Sequence, residues 1–268
     1  MSADYKPAVK VMRKTLLIII AAAVVLCAAA GIYLALSEGG AERDEISLRD
    51  PANDGWTVIT LDPGHGGKSP GGVGVHGGEE YVERDLVMRL ALYLKEELEK
   101  YDHVKVYLTR EDNSENPELW HRVKMGKENG SDVVISLHLN GGNGERHGAS
   151  VLVTHGKYDP KELKPVEDAL ALSILAEIET QVGVSSNGLY LADSKMVTYP
   201  NGEPADYYGI VRSGINLGIP AILVEHCYLD NEEDFKLALS TDEKLMTLAK
   251  ADADGVAKYY ELELKTDE

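Results

Sequence analysis

From Trp56 onward the chain alternates between two hydrophobic periods, and this alternation confines it to the α/β class. The runs WTVITL (56–61), VKVYLT (104–109), DVVISLHL (132–139), ASVLVT (149–154) and PAILVEH (220–226) are short and apolar, as buried strands are. Between them lie helical patterns. Residues 84–100 carry Leu86, Leu90, Leu94 and Leu98 four apart on one face. Residues 117–129 read as a second helix, with Asn116 and Pro117 at the cap and first-turn positions. A third helix is expected over 161–182, on Leu163, Val166, Leu170, Ile174 and Ile178, with Gly183 as its stop. Helices over 231–239 and 242–262 close the chain, capped by Asn231 and by Ser240 or Thr241. The pattern predicts an α/β sandwich with a parallel or mixed central sheet. Residues 184–209 follow neither period and are expected to form a long loop walling a cleft.

The N-terminal part obeys different rules. Residues 16–36 (LLIIIAAAVVLCAAAGIYLAL) contain no charge over 21 positions, enough helical rise to span a bilayer core. Lys6, Lys10, Arg13 and Lys14 precede this run, and Glu38, Glu42, Asp44 and Glu45 follow it. The positive-inside rule therefore predicts a cytoplasmic tail (1–15), a single-pass anchor in the cell membrane (16–36), a polar linker (37–55) and an extracytoplasmic domain (56–262). The alternative is secretion after cleavage near Ala28, Ala29 and Ala30, against which stands the length of the apolar run. Of the two cysteines, Cys27 lies in that run and Cys227 far away, so no disulfide framework exists and Cys227 is expected to be buried or free. The chain has 268 residues, which leaves one domain of about 200 after the anchor, large enough to bury a full core. Its net charge of -18 excludes non-specific nucleic-acid binding and disfavours adhesion to anionic lipid. A monomer is expected.

The chemistry-bearing residues gather at strand ends. The first strand runs into DPGHGG, which places Asp62 and His65 past its carboxyl end. SLHLN places His138 and Asn140 at the end of the third, and VEHC places Glu225 and His226 at the end of the last. In open α/β sheets, ligands collect outside the carboxyl ends of the strands. Glu83 precedes the helix that packs back from the same edge. Two imidazoles and a carboxylate form a catalytic zinc set with a fourth position left for water, and Glu225 is placed to act as the base. Spacing alone leaves His76 a rival to His65. His147 and His155 also fall in predicted loops, while His103 and His121 read as surface or helix residues. Each histidine taken singly is more simply a hydrogen-bonded loop residue. Glu83 alone is a helix N-terminal carboxylate stabilised by the macrodipole, and Glu225 alone a paired structural carboxylate. Gly64, Gly66 and Gly67 permit a sharp turn at His65, whereas DPGHGGKSPGG lacks the spacing of a phosphate-binding loop.

Taken in order, ITLDPGHGG, EYVERDLVMRLALYLKEEL, VYLTRED, LWHRVKMGKENGSDVVISLHLNGG and PAILVEHCYLDNEEDF resemble the zinc-dependent N-acetylmuramoyl-L-alanine amidases of the amidase-3 type over about residues 57–262. The resemblance implies a mixed six-stranded sheet flanked by helices, the phosphorylase/hydrolase-like fold of these amidases. It implies one zinc ion held by His65, Glu83 and His138, with Glu225 as catalytic acid/base, and so decides against His76. The implied substrate is peptidoglycan, cut between the lactyl carbonyl of N-acetylmuramic acid and L-alanine during cell-wall remodelling. Alternatives are a related zinc peptidase or amidase cutting another cell-wall amide, or a spore-cortex-specific amidase. A non-catalytic wall-binding domain would need a broken site, and none of the four residues is missing. The chain departs from the family at Glu225-His226-Cys227-Tyr228, where a small residue usually precedes an aromatic, and it lacks an evident "RG" segment. Asn140, Arg212 and His226 are the candidate substrate contacts, although strand alternation would turn His226 away from Glu225.

Overall fold

The computed structural model describes residues 55–266. The expected tail, anchor and all but the last residue of the linker lie outside the described residues. Among the described residues no helix is long and apolar enough to cross a membrane.

A six-stranded mixed sheet forms the centre. Its strands are β1 (Thr57–Pro63), β4 (Val104–Leu108), β5 (Val133–Asn140), β6 (Ala149–Leu152), β7 (Ser186–Tyr190) and β10 (Ala221–Tyr228), in spatial order β4-β1-β5-β10-β6-β7. β1 pairs in parallel with β4 and β5, and β5 in parallel with β10. β6 runs antiparallel to β10 and parallel to β7. Two small hairpins lie outside the sheet, β2 (Val73–His76) with β3 (Glu79–Val82) and β8 (Asp193–Thr198) with β9 (Pro204–Asp206).

The period of two explains which side chains reach the site. On β5, Val133, Ile135, Leu137 and Leu139 enter the main core, while Val134 joins a second cluster on the opposite face. His138 and Asn140 therefore share the face of Val134. On β10, Ile222 and Val224 enter the main core and Ala221 the second cluster, which puts Glu225 on the His138 face. The main core is closed by α1 (Glu83–Leu98), α3 (Leu163–Glu177) and α6 (Asp242–Tyr260). Leu86, Leu90, Leu94 and Leu98 of α1 are all buried there. The opposite face is covered by α2 (Leu119–Glu128) and α4 (Gly209–Leu217), through Val123 and Ile210. The short α5 (Glu232–Ala238) follows β10. Asn231 caps α5 by accepting from the Glu233 and Asp234 amides, and Thr241 caps α6 by accepting from Lys244.

Three expectations need correction. Residues 184–209 are not a long loop: they hold β7, which adds the sixth strand, and the β8–β9 hairpin. Their exposed side chains hide the period, for a hairpin standing off the sheet buries little. The second helix begins at Leu119, after Glu118 as N-cap, rather than at Pro117. Asn116 and Pro117 serve a different residue, accepting from Arg122 Nη2 at 2.6 Å and Nε at 2.7 Å. The third helix ends at Glu177 and continues as a π turn over Ile178–Val182, after which Gly183 adopts φ 85°.

Candidate active site and metal centre

The loop after β1 is held from beneath by two buried arginines. Pro63 O accepts from Arg110 Nε (2.9 Å) and Arg122 Nη1 (3.0 Å). Gly64 O accepts from Arg110 Nη2 (2.8 Å), and His65 O from Arg122 Nη2 (2.8 Å). Three successive carbonyls thus point at two guanidiniums. The arrangement keeps His65 at φ 61°, a left-handed conformation that costs a non-glycine residue about 1–2 kcal/mol. Asp62, 1 % exposed, neutralises part of the buried positive charge. It accepts from Arg122 Nη1 (2.7 Å), Ser136 Oγ (2.6 Å) and Thr109 Oγ1 (2.5 Å). Burial alone would raise its pKa, but the Arg122 charge and these hydroxyls hold the carboxyl below the usual range. Neither Arg110 nor Arg122 stands out in the sequence as a site residue. The available signal was a charged residue, Arg122, on the same buried helix face as Gly126.

Above this floor three donors converge. Glu83, the first residue of α1 and 3 % exposed, faces His65 through Oε2 (Nε2 at 3.0 Å) and His138 through Oε1 (Nδ1 at 3.0 Å). Backbone amides of Gly72 (2.7 Å) and Leu139 (3.0 Å) also donate to its carboxylate. Burial opposes ionisation of Glu83, but the hydrogen bonds from His138 and His65 prevail and hold its pKa far below the ordinary value. Burial likewise opposes the charged form of His138, while Glu83 and Glu225 push its pKa up.

The donor set fits a metal ion. One ligand atom each from His65, Glu83 and His138 lies within 4.8 Å of the others. Nitrogen and carboxylate oxygen are ordinary zinc donors, and an ion seated among them would replace the protons the rings present to Glu83. Glycines make the space. A Cβ on Gly71 would lie 2.4 Å from Glu83 Oε2 and 2.6 Å from His65 Cδ2, and one on Gly64 would lie 2.4 Å from His138 Cε1.

Glu225 stands beside this group without belonging to it. It pairs with His138 across β5 and β10 and with Ser150 across β10 and β6. Its Oε2 is shielded from solvent and has no hydrogen-bond partner. Burial pushes its pKa up, opposed by the His138 charge and reinforced by Glu83. Glu225, the three donors, Asp62 and Asn140 line one cavity of about 520 Å³, which extends to Leu119 and Tyr208.

The other candidates lie elsewhere. His226 is 0 % exposed on the opposite face of β10, bonded through Nε2 to Asp252 Oδ2 (2.9 Å) and through Nδ1 to His138 O (2.9 Å). It cannot touch substrate, because the same alternation that presents Glu225 turns it inward. Arg212 is also outside the cavity: its Nη1 donates to Asp206 O (2.7 Å) and Tyr207 O (3.0 Å), bracing the chain after β9. His76 stacks on Phe235 at 3.8 Å and bonds to Glu232 (2.8 Å) and Leu229 O (2.8 Å), pinning the β2–β3 hairpin to α5. His147 meets Ser185, and His155 meets Asp206. Cys227 is free and buried.

Comparison with known proteins agrees with this geometry. The Amidase_3 family, N-acetylmuramoyl-L-alanine amidase, matches residues 59–258. The endolysin of Bacillus phage SPP1 is 26% identical over 212 residues, covering 78% of this chain and 68% of its own. N-acetylmuramoyl-L-alanine amidase AmiA of Escherichia coli is 27% identical over 233 residues, covering 77% of each. Among solved structures, Cwp6 from Clostridium difficile superposes with a TM-score of 0.63 at 27% identity, over 78% of this chain and 30% of that one. The catalytic domain of CwlV from Bacillus (Paenibacillus) polymyxa shares the fold, with a TM-score of 0.61 at 22% identity, over 77% of this chain and 99% of that one. With the matched segment spanning all but the first two residues of the sheet, both arginines and every residue of the cluster, the chain belongs to the Amidase_3 family of N-acetylmuramoyl-L-alanine amidases.

Proposed function

We propose that this chain hydrolyses the amide between N-acetylmuramic acid and L-alanine in peptidoglycan, using one zinc ion held by His65, Glu83 and His138. The observation that carries the reading is the convergence of those three donors beside an unpartnered carboxylate, Glu225, in a single cavity. Bound there by His65, Glu83 and His138, a zinc ion would supply Lewis acidity toward the scissile carbonyl and the attacking water. The chain's own residues do the rest. Glu225 accepts the proton of the attacking water and delivers it to the departing L-alanine nitrogen as the C–N bond breaks and the new C–O bond forms. Arg110, Arg122 and Asp62 hold the His65 loop, so the donor geometry is set before substrate arrives. Asn140 lies on the cavity wall, where it can contact substrate.

The placement outside the membrane rests on the charge pattern around residues 16–36, which supports a single-pass anchor with residues 56–262 facing the wall. Such an anchor would hold the enzyme beside its polymer without a separate wall-binding module.

The deciding experiment is mass spectrometry of purified muropeptides after digestion, before and after metal removal. New L-alanine amino termini should appear, vanish in chelator-treated protein and return with zinc. Cleavage at another amide, or full activity of metal-free protein, would refute the assignment.

A further inference from the structure

A second concavity opens beside the first. Ser150 on β6 pairs with Glu225 and so shares its face. From Ser150 and Tyr228 a groove of about 430 Å³ continues over β6 and β7 to Asn187 and Tyr190. Its rim is the loop of residues 141–148, which joins β5 to β6.

This loop is built rather than loose. The Asp230 carboxylate accepts from the amides of Gly142 (3.1 Å) and Gly144 (3.0 Å), and Asn231 Nδ2 donates to Gly144 O (2.9 Å). Asn187 Nδ2 donates to His147 O (2.8 Å), and Asp234 Oδ2 accepts from the Gly148 amide (2.8 Å). The backbone on both sides of Arg146 is therefore fixed. Glu145 turns aside, accepting from Asn143 Nδ2 at 3.0 Å. Arg146 itself lines the groove and makes no hydrogen bond or ion pair among the described residues. In a chain of net charge -18, a guanidinium left unpaired on a fixed rim is available to an anion from outside.

The two cavities differ in chemistry. Beyond the three donors and Glu225, the first is lined by Leu119 and Tyr208 beside the Glu118 carboxylate, apolar and aromatic surface that suits an uncharged sugar. The substrate of the reaction proposed above has one uncharged half, the glycan, and one half bearing free carboxylates, the stem peptide. We infer that the groove over β6 and β7 binds the stem peptide and that Arg146 receives one of its carboxylates. The inference rests on the amidase reading. It makes Arg146 a determinant of stem-peptide preference, since a planar guanidinium rewards a carboxylate over an amide.

Two synthetic muramoyl peptides of identical sequence, one with the glutamate α-carboxyl free and one with it amidated, test this. The free acid should be favoured in kcat/KM by about tenfold or more, the size of one charge-assisted hydrogen bond. Arg146→Gln should bring the ratio near one, and Arg146→Lys should restore part of it. Thermal unfolding of both variants shows whether the fold is intact. A ratio near one in the unaltered chain, or one that Arg146→Gln leaves unchanged, would overturn the inference, as would an equal loss on both substrates. If neither peptide yields a free L-alanine terminus, the amidase reading itself falls and takes the subsite with it.

Discussion

Replacing Glu225 with glutamine alters one atom at the point where the proposed proton transfers occur. The structure makes this an unusually clean substitution. Oε2 has no hydrogen-bond partner, so an amide nitrogen in its place breaks none. The side chain keeps its volume and its place between His138 and Ser150. The unfolding midpoint should stay within about 3 °C, the range of substitutions that remove no contact. Glu225 also falls outside the group of donors that lie within 4.8 Å of one another, so one zinc per domain should remain. Only the proton-accepting function is lost. A positioned general base contributes about 10²–10⁴-fold, or roughly 3–5 kcal/mol of barrier, and kcat should drop by that factor with little change in KM. Steady-state hydrolysis of a muramoyl peptide, paired with metal analysis of the same preparation, reads both quantities. Loss of zinc together with activity would make Glu225 a ligand. Activity within a few fold of the unaltered chain would remove it from the chemistry altogether.

Two further outcomes follow from buried groups. Gly71→Ala places a Cβ against Glu83 and His65 at a residue with φ 72°. It should weaken zinc binding about tenfold or more in a chelator competition, and an unchanged affinity would mean the cradle yields freely. Glu167, fully buried, accepts from the amides of Thr154 (2.8 Å) and Ala221 (3.1 Å), and burial pushes its pKa up to about 8. A folded-state pKa raised above the unfolded value gives stability that is complete below about pH 4.5 and is lost as pH rises through about 8. Glu167→Gln leaves one of the two amides facing an NH₂ group, at a cost of about 1–3 kcal/mol. Denaturant titrations should therefore show the unaltered chain more stable at about pH 5, the gap closing as pH rises and reversing sign before about pH 8, and a gap constant with pH would mean Glu167 is ionised throughout.

The alternation of strand and helix, the leucine face of α1 and the strand-end positions of His65, His138 and Glu225 were all legible in the chain. Each depends on a local period, and local periods survive in one dimension. The order of motifs separated His65 from His76, which spacing could not do. The β8–β9 hairpin and the sixth strand were not legible, because short and largely exposed strands carry no clear hydrophobic alternation.

His226 marks the boundary between the two kinds of information. Alternation along β10 already turned it from Glu225, but its bonds to Asp252 on α6 and to the His138 carbonyl exist only once helix and sheet pack. The arginine clamp is of the same kind. Arg110, in the loop after β4, and Arg122, on α2, meet the carbonyls of Pro63, Gly64 and His65 through contacts 46 to 59 residues apart in the chain. The sequence by itself determined which residues reach the carboxyl edge of the sheet, because a strand's side-chain direction is set by its period. Only the tertiary structure decided how they meet there. The distances from Glu83 to His65 and His138, the orphaned oxygen of Glu225 and the unpaired guanidinium of Arg146 depend on how separate elements pack, and no local period records that.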